Sequence, residues 1–217
     1  MAGGVTAADK AYAFAKERIL DGRFAGGTLI TEGDVGADVG VSRTPVREAF
    51  LRLESEGLLR LYPKRGALVV RVSPAEVDSV METRLLVERF AVEKIIASDL
   101  DLDADPNDVI ARQETLGAEG DRAGFVEADR QFHRIFVAAA GNPILLALHD
   151  SLRDRQTRMN LAALARSDDR QRQVLAEHRG IAAAVEAREL DEALRLVDQH
   201  LGATLALLHS AAASDAA

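Results

Sequence analysis

The sequence contains no cysteine and no tryptophan, and it has only two tyrosines and seven phenylalanines. Without cysteine the chain can form no disulfide bond, thiolate zinc site or cysteine nucleophile, so any metal ion must be held by histidine and carboxylate side chains. No run of about 18 consecutive apolar residues occurs, and the N-terminus does not join a basic segment to an apolar one. We therefore expect no membrane span, no secretion signal and a cytoplasmic protein.

Small and aliphatic residues are plentiful, since 47% of the 217 residues are hydrophobic and only 4% are aromatic. Abundant alanine, leucine and arginine favour helices over strands, which predicts a mainly α fold. A chain of this length forms one large domain or two modest ones, and either can bury its own core.

Charge is spread unevenly along the chain, whose formal net charge is -8. Residues 1–72 contain 11 basic and 9 acidic residues, whereas residues 73–217 contain 16 basic and 26 acidic ones. Within residues 42–71 there are seven basic and three acidic residues, a local cationic patch of the kind that attracts phosphates. A mildly basic N-terminal module followed by an acidic body suits a DNA-binding protein.

Residues 6–72 have the pattern of a winged helix-turn-helix domain. Thr6 can cap a first helix, a short helix is predicted over Glu32–Val39, and Gly40 separates it from a helix over roughly Arg43–Glu56. Two helices joined by a tight glycine turn, the second beginning with basic and hydroxyl residues, are typical of a helix-turn-helix. Two strands of a wing-like hairpin are predicted over Leu58–Leu61 and Ala67–Val72.

Residues 74–212 are predicted to form an all-helical domain, with the domain boundary at Ser73-Pro74. Strong turn sequences, such as Asp105-Pro106-Asn107 and Gly141-Asn142-Pro143, separate the helices. The predicted helices cover about 74–98, 107–118, 121–140, 143–165, 169–187 and 190–212. Six helices with short connections predict a bundle.

The start of the third helix carries the side chains expected to read DNA. Arg43 or Arg47 can make bidentate contacts with guanine in the major groove, and Ser42 and Thr44 can bind phosphates or cap the helix. At the tip of the wing, basic residues can neutralise phosphates or enter the minor groove, and a glycine lets the backbone approach closely. These wing residues are Lys64, Arg65 and Gly66. The alternative is that the arginines form only a solvated helix face.

The segment from Val41 to Ala49 resembles the recognition helix of GntR-type regulators, and its continuation through Arg65-Gly66-Ala67 resembles the wing of that family. The resemblance covers about 30 positions in the same order and implies a DNA-binding domain. One departure lies in the preceding helix, where Gly33 and Gly36 replace the usual helix formers. Each glycine costs about 1 kcal/mol relative to alanine, so this helix is expected either to fray or to be held mainly by tertiary contacts.

Polar residues occupy the apolar stripes of the second domain. Asp129 and His133 lie four residues apart on one helix, in line with phenylalanines, and a buried carboxylate beside a buried imidazole needs a reason. His178 and His200 lie on the apolar stripes of two later helices. Any one of these histidines alone is more simply explained as a hydrogen-bonded core residue.

Together the three imidazoles and one carboxylate predict a divalent metal site inside the bundle. This donor set suits Zn²⁺, Ni²⁺, Mn²⁺ or Fe²⁺, and a six-coordinate ion would keep two positions for water or a bidentate small molecule. Such an ion would hold a carboxylate well.

Positions spread over residues 121–200 carry a second resemblance. They are Asp121, Phe125, Asp129, Phe132-His133, Gly141-Asn142-Pro143, Glu177-His178 and His200. The set resembles the FCD effector domain of the FadR branch of GntR regulators, which implies a divalent metal ion that helps bind a carboxylate-bearing metabolite. The implied ligands are Asp129, His133, His178 and His200.

Arg84 is the remaining candidate, because it lies on the apolar stripe of the domain's first helix. The family commonly places an arginine there to meet the acid group of the ligand, whereas the simpler alternative is an i,i+4 salt bridge to Glu88. His149 and His209 match no motif position and are assigned no role, as surface or packing residues.

These features predict a DNA-binding transcription regulator whose effector shifts the helical domain and thereby its two DNA-reading heads. The resemblance implies a homodimer on a pseudo-palindromic operator. Repression relieved by the ligand is the commoner behaviour of the family, and activation is the alternative. A metal-dependent hydrolase using the three histidines and the aspartate is the alternative of another class, and no separate general base or oxyanion feature supports it. In a third interpretation the metal ion is purely structural, or is itself the signal.

Overall fold

The computed structural model describes residues 4–164 and 168–215, and the chain divides into two compact units between Val72 and Ser73. Ten helices and three short strands occur in the described ranges, so the predicted mainly α fold is confirmed. None of the helices in these ranges combines the length and the apolar character needed to cross a bilayer.

The first unit packs three helices against a small sheet. Its elements are α1 (Ala7–Leu20), β1 (Leu29–Ile30), α2 (Glu32–Val39), α3 (Arg43–Ser55), β2 (Leu59–Tyr62) and β3 (Gly66–Val69). Thr6 caps α1 in a reciprocal pair with Asp9, as its position before the helix predicted. The core lies between α1, α3 and the sheet and is centred on Val46, Phe50 and Leu53, all fully buried.

The sheet is antiparallel with the order β1-β3-β2, and β1 is the strand that the sequence did not predict. It has two residues, with Leu29 paired to Leu68 and Ile30 to Ala67, which is too short for alternation to be visible in the sequence. Strand β2 of the wing hairpin begins and ends one residue later than predicted, whereas β3 begins one residue earlier and ends three residues earlier. Tyr62 is paired to Gly66 across the turn.

Helix α2 forms over the predicted residues, and its two glycines differ in surroundings. A Cβ on Gly36 would lie 2.8 Å from the carbonyl oxygen of Val41, because the turn at Gly40 folds the chain back against α2. The amide of Val41 donates to the carbonyl of Gly36 across this turn. A Cβ on Gly33 would have no neighbour closer than 3.6 Å. Gly36 therefore permits the close approach of the two helices at the tight turn.

The second unit is a bundle of seven helices in the described residues, where six were predicted. They are α4 (Pro74–Ala97), α5 (Pro106–Ala118), α6 (Arg122–Ala139), α7 (Pro143–Ser151), α8 (Arg153–Leu164), α9 (Asp168–Glu186) and α10 (Leu190–Asp215). The helix predicted over 143–165 is broken at Leu152, whose amide donates to the carbonyl of His149 in a tightened turn. Neither glycine nor proline marks this break. Residue 165, the predicted end, lies outside the described residues.

Helix α6 is the centre of the second unit for the candidate site. It packs against α4, α5, α7 and α8, and its buried stripe includes Phe125, Phe132 and Phe136. Asp129 and His133 lie on this same buried stripe. Helices α9 and α10 bring the other two histidines to it.

Candidate functional site

The first turn of α3 presents polar side chains to solvent. Ser42 is the N-cap residue in an extended conformation, but its hydroxyl makes no capping hydrogen bond. Arg43, Thr44 and Arg47 are exposed, whereas the opposite face of α3 is buried in the core. The exposed face therefore carries the predicted reading residues at a helix N-terminus, where the backbone amides favour anions.

The tip of the wing places two cations in solvent and turns its glycine inward. Lys64 has a left-handed backbone with φ 63°, and both Lys64 and Arg65 are exposed. Gly66 has φ 107° and is buried, and a Cβ there would lie 2.3 Å from the carbonyl oxygen of Ile30. The close approach that this glycine permits is thus to β1 of its own sheet.

Four cations of this unit, Arg43, Arg47, Lys64 and Arg65, are called the exposed basic set below. Within residues 4–164 and 168–215, no side chain of the set makes a hydrogen bond or ion pair. Arg52, which lies farther along α3, is paired, unlike the exposed basic set. It bonds Asp9 at 2.8 Å and lies 3.9 Å from the centre of the Tyr12 ring, so it fixes α3 to α1.

The four predicted metal ligands of the second unit come together. One potential ligand atom from each lies within 4.8 Å of the other three. Asp129 and His133 come from α6, His178 from α9 and His200 from α10. The histidines are at most 3% exposed and the aspartate is 8% exposed, so the cluster is a polar interior of the bundle.

Two of the histidines are anchored by carboxylates through the ring nitrogen that faces away from the cluster. The Nδ1 atom of His133 lies 2.8 Å from Glu88 of α4, and that of His200 lies 2.7 Å from Glu177 of α9. A carboxylate accepts hydrogen bonds and keeps the proton on Nδ1, which leaves the lone pair on Nε2. Metal-binding histidines are commonly oriented in this way.

The third histidine is anchored by an amide and a ring. The Nδ1 atom of His178 lies 3.0 Å from Oε1 of Gln113, and its ring stacks on Phe132 with centroids 3.9 Å apart and planes 13° apart. Its Nε2 is buried without a hydrogen-bond partner among the described residues. All three rings therefore direct an Nε2 lone pair into the cluster.

The distances between the inward atoms suit a shared cation. His133 Nε2 lies 3.2 Å from His200 Nε2, and His178 Nε2 lies 3.4 Å from Oδ1 of Asp129. Two nitrogens that both carry lone pairs cannot hydrogen-bond to each other. Zinc lies about 2.0–2.1 Å from imidazole nitrogen, so two neighbouring ligands of one ion are about 3 Å apart. The residues present thus fit a divalent ion.

The charge states around the cluster also suit metal binding. Burial is the largest single influence on the pKa of Glu88 and acts to raise it, but Arg84, His133 and His149 together hold the pKa well below its usual value. Burial lowers the pKa of His178 well below its usual value and also lowers that of His200. Neutral imidazoles and ionised carboxylates are the forms that metal ions bind.

Arg84 is fully buried on α4 and makes the salt bridge that was the simpler alternative. Its Nε donates to Oε1 of Glu88 over 2.8 Å. The salt bridge does not use the whole guanidinium group, because the buried Nη2 has no hydrogen-bond partner in the described part of the chain. An unpaired buried donor of this kind is costly, and a ligand oxygen would satisfy it.

The sequence interpretation missed several residues of the site. Glu88 and Gln113 belong to no quoted motif, and the amphipathic spacing of their helices was the available signal. His149 lies at the end of α7, 1% exposed and 3.7 Å from Glu88, so it is a packing residue and not a surface one. His209 pairs with Asp78 and is partly exposed.

A small cavity of about 30 Å³ adjoins the cluster, with Asp129 in its wall. It is lined by Phe125, Val126, Asp129, Asn160, Arg170, Val174, Thr204 and Leu207. Arg170 donates to Glu177 over 2.8 Å and to Thr204 over 3.0 Å. Solvent-sized space therefore reaches the carboxylate side of the cluster.

Two family descriptions match successive parts of the sequence. Residues 7–69 match the family described as bacterial regulatory proteins, gntR family. Residues 79–203, more than half of the chain, match the FCD domain. The exposed basic set lies in the first match, and the cluster of Asp129, His133, His178 and His200 lies in the second.

The chain is similar to several bacterial transcription regulators. A protein of Paenarthrobacter nicotinovorans named as a probable D-xylose utilization operon transcriptional repressor is 30% identical over 214 residues, which cover 98% of this chain and 93% of that protein. The gluconate operon transcriptional repressor of Bacillus subtilis (strain 168) is 28% identical over 137 residues, 63% of this chain and 56% of that protein. The match thus spans little more than half of the gluconate repressor.

Solved structures share the fold. A GntR transcriptional regulator from Rhodococcus sp. RHA1 gives a TM-score of 0.76 at 23% identity and covers 94% of this chain and 97% of its own. E. coli McbR/YncC gives a TM-score of 0.74 at 20% identity, over 95% of this chain and 98% of its own.

Proposed function

This chain belongs to the GntR family of bacterial regulators, in the FadR-like branch with an FCD domain, and we propose that a small carboxylate metabolite controls its affinity for an operator. It is a DNA-binding transcription regulator and not an enzyme, since its relatives are regulators and repressors. The hydrolase interpretation is therefore set aside. Repression released by the metabolite is the mode we propose, in the cytoplasm, where the regulator reaches chromosomal DNA.

One observation carries the sensing half of the proposal: three buried histidines, each anchored at Nδ1, direct Nε2 toward each other and toward Asp129. We propose that these four residues hold a Zn²⁺, Ni²⁺, Mn²⁺ or Fe²⁺ ion. When bound, the ion supplies a Lewis acid that attracts a carboxylate oxygen. Arg84 adds the donor Nη2, which is buried and lacks a partner among the described residues.

The DNA-binding half of the proposal rests on residues 6–72, and the sensing and dimerisation half on residues 74–212. Arg43 and Arg47 read base edges in the major groove, while Ser42 and Thr44 bind phosphates beside them. Lys64 and Arg65 contact phosphates from the wing, and the backbone at Gly66 shapes it. Two copies related by a two-fold axis read two half-sites of a pseudo-palindromic operator.

The metabolite changes operator affinity only to the extent that it binds one conformer of the dimer more tightly than the other. We propose that effector binding draws α4, through Arg84, toward the proposed metal ligands on α6, α9 and α10. The conformer in which Arg84 can reach the effector would then bind it more tightly than the other conformer. A metal that is purely structural would leave operator binding unchanged by any carboxylate.

The proposal is tested with the full-length protein and an operator obtained by selecting genomic fragments. Metal content is measured by mass spectrometry, and the release of operator by a panel of small carboxylates is measured by fluorescence anisotropy. We expect about one ion per chain and release by at least one carboxylate, both lost in Asp129→Asn. Metal-free parent protein, or operator binding that no carboxylate alters, would contradict the proposal.

A further inference from the structure

The cavity beside Asp129 is small and has both apolar and polar walls. It lies between α6, α8, α9 and α10, and Phe125, Val174 and Leu207 belong to its apolar lining. Its volume of about 30 Å³ accommodates about two water-sized groups. Asp129 belongs both to this wall and to the proposed metal site. A ligand held by the proposed ion can therefore extend one small substituent into the cavity.

Thr204 of α10 contributes a buried hydroxyl group to the polar wall. The residue is 9% exposed, and its Oγ1 accepts a hydrogen bond from Nη2 of Arg170 over 3.0 Å. A hydroxyl group can also donate its own proton. In the described part of the chain the Thr204 hydroxyl donates to no other group. Thr204 therefore offers a donor to a group that enters the cavity.

Asn160 of α8 contributes an amide group to the same wall. The residue is half-buried, and its side chain makes no hydrogen bond with any other described residue. The carbonyl oxygen of an amide accepts hydrogen bonds and its NH₂ group donates them. Because Asn160 and Thr204 line one small cavity, a single ligand group can meet both side chains.

A hydroxyl group on the ligand complements these two side chains. It can donate its proton to Oδ1 of Asn160 and accept the proton of Thr204. A methyl group in the same place would leave both polar groups without partners, and polar groups left unpaired on burial cost free energy. The polar wall therefore favours a substituent that carries a hydroxyl group.

We propose that Asn160 and Thr204 form a hydroxyl-binding subsite, so that the effector is a short hydroxy acid. Its carboxylate binds the ion and its hydroxyl group lies in the cavity. A site built to hydrogen-bond a hydroxyl group discriminates strongly against analogues that lack it. The inference rests on the proposed metal-dependent carboxylate site and adds the chemical class of its ligand.

Pairs of acids that differ by one oxygen atom test this on the full-length protein. Acetate is compared with glycolate, propionate with lactate, and butyrate with 3-hydroxybutyrate. The protein is saturated with whichever of the four candidate ions it binds most tightly. Calorimetric dissociation constants, supported by ligand-induced shifts in melting temperature, give an affinity ratio for each pair.

We expect the hydroxy acid of the best-bound pair to bind at least about tenfold more tightly than its partner acid. In Asn160→Leu, which keeps the branched shape and removes the amide, the ratio falls by about tenfold. Metal content stays at the parental value, because Asn160 is not a member of the metal cluster. Asn107→Leu, which changes an exposed asparagine at the start of α5, leaves the ratio unchanged.

The change in the ratio separates the subsite from direct chelation. The hydroxyl group of a 2-hydroxy acid can also bind the ion beside its carboxylate, but Asn160→Leu leaves that contact intact. A ratio taken within one pair also cancels any general loss of affinity. Thr204→Val, which keeps the shape and removes the hydroxyl group, is the second variant and lowers the ratio as well. It decides the question should Asn160→Leu fail to fold.

The outcomes separate this inference from the function on which it depends. A parent protein that takes up no ion removes both. A metal-loaded parent that binds both members of every pair equally, or binds no member of any pair, overturns the inference alone. So does a folded Asn160→Leu protein with the parental ratio, which would assign the preference to chelation.

Discussion

The charged side chains of the two units differ in exposure and in pairing. In the first unit, Arg43, Arg47, Lys64 and Arg65 are exposed and unpaired among the described residues, so they are available to a partner that brings phosphates. In the second unit, the polar residues of the site are buried, and each histidine has a dedicated partner. An exposed set of charges can bind an extended polyanion, whereas a buried and mutually anchored set can discriminate a small ion and ligand.

Removing a ligand from the buried set should give the largest effect. His178→Ala deletes a fully buried imidazole whose Nε2 has no other partner in the described chain, so metal affinity should fall by at least about 100-fold. Metal affinity is measured by competition with a chelator. His209→Ala, which removes a partly exposed histidine, is the matched control.

The same variant distinguishes sensing from a structural metal. A folded His178→Ala protein that binds operator but no longer responds to carboxylates supports sensing. Loss of folding, measured by circular dichroism and thermal melting, supports the structural interpretation. Retention of parental metal affinity would show that the cluster is not a metal site.

Weakening an anchor should give a smaller effect than removing a ligand. Glu177→Gln keeps the shape of the side chain but removes the charge 2.7 Å from Nδ1 of His200. Metal affinity should fall by about tenfold, the lower end of what is typical for partners of metal-bound histidines. Metal affinity is measured by competition with a chelator, and parental affinity in Glu177→Gln would show that the charge of Glu177 does not support metal binding.

That Asp129, His133, His178 and His200 lie on buried stripes could be predicted from the sequence, because helical periodicity reveals the buried face of each helix. Spacing indicates which face of a helix is buried, but it does not show that Glu88, Gln113 and Glu177 anchor these histidines, because tertiary packing sets the mutual rotation of the helices. For Arg84, too, the sequence predicts the local pairing but not the contacts that depend on tertiary packing. Its salt bridge to Glu88 follows from i,i+4 spacing, but the unpaired Nη2 depends on where the remaining helices pack.

In the first unit the sequence predicted the helices and the wing, but it did not predict that Gly66 packs against a third strand. The role of Gly66 in the approach to DNA stays a prediction, and the structure adds a second role, because the backbone of Gly66 lies against Ile30 of a two-residue strand that no pattern in the sequence indicates. Short strands carry too few residues to show alternation, so contacts made through them come only from the folded sheet.

Altering one member of the exposed basic set should change sequence preference without disturbing the buried cluster. Arg47→Ala should cost about 1–3 kcal/mol of discrimination at one base pair of each half-site, because a bidentate guanine contact is lost. Binding to a set of operators with single substitutions, measured by anisotropy, gives this discrimination. Metal content should stay at the parental value, and an unchanged preference at every position would show that Arg47 does not read bases.

The smallest effect is expected at the wing, where contact is with phosphate. Lys64→Ala should weaken binding about equally at all sequences and reduce the slope of log affinity against log salt by about 0.9, the value for one released phosphate contact. Lys94→Ala removes the same charge from the second unit and serves as the control. If Lys64→Ala instead changed preference among operators at constant salt slope, the wing would read bases. The exposed basic set would then combine positioning with sequence recognition at both of its ends.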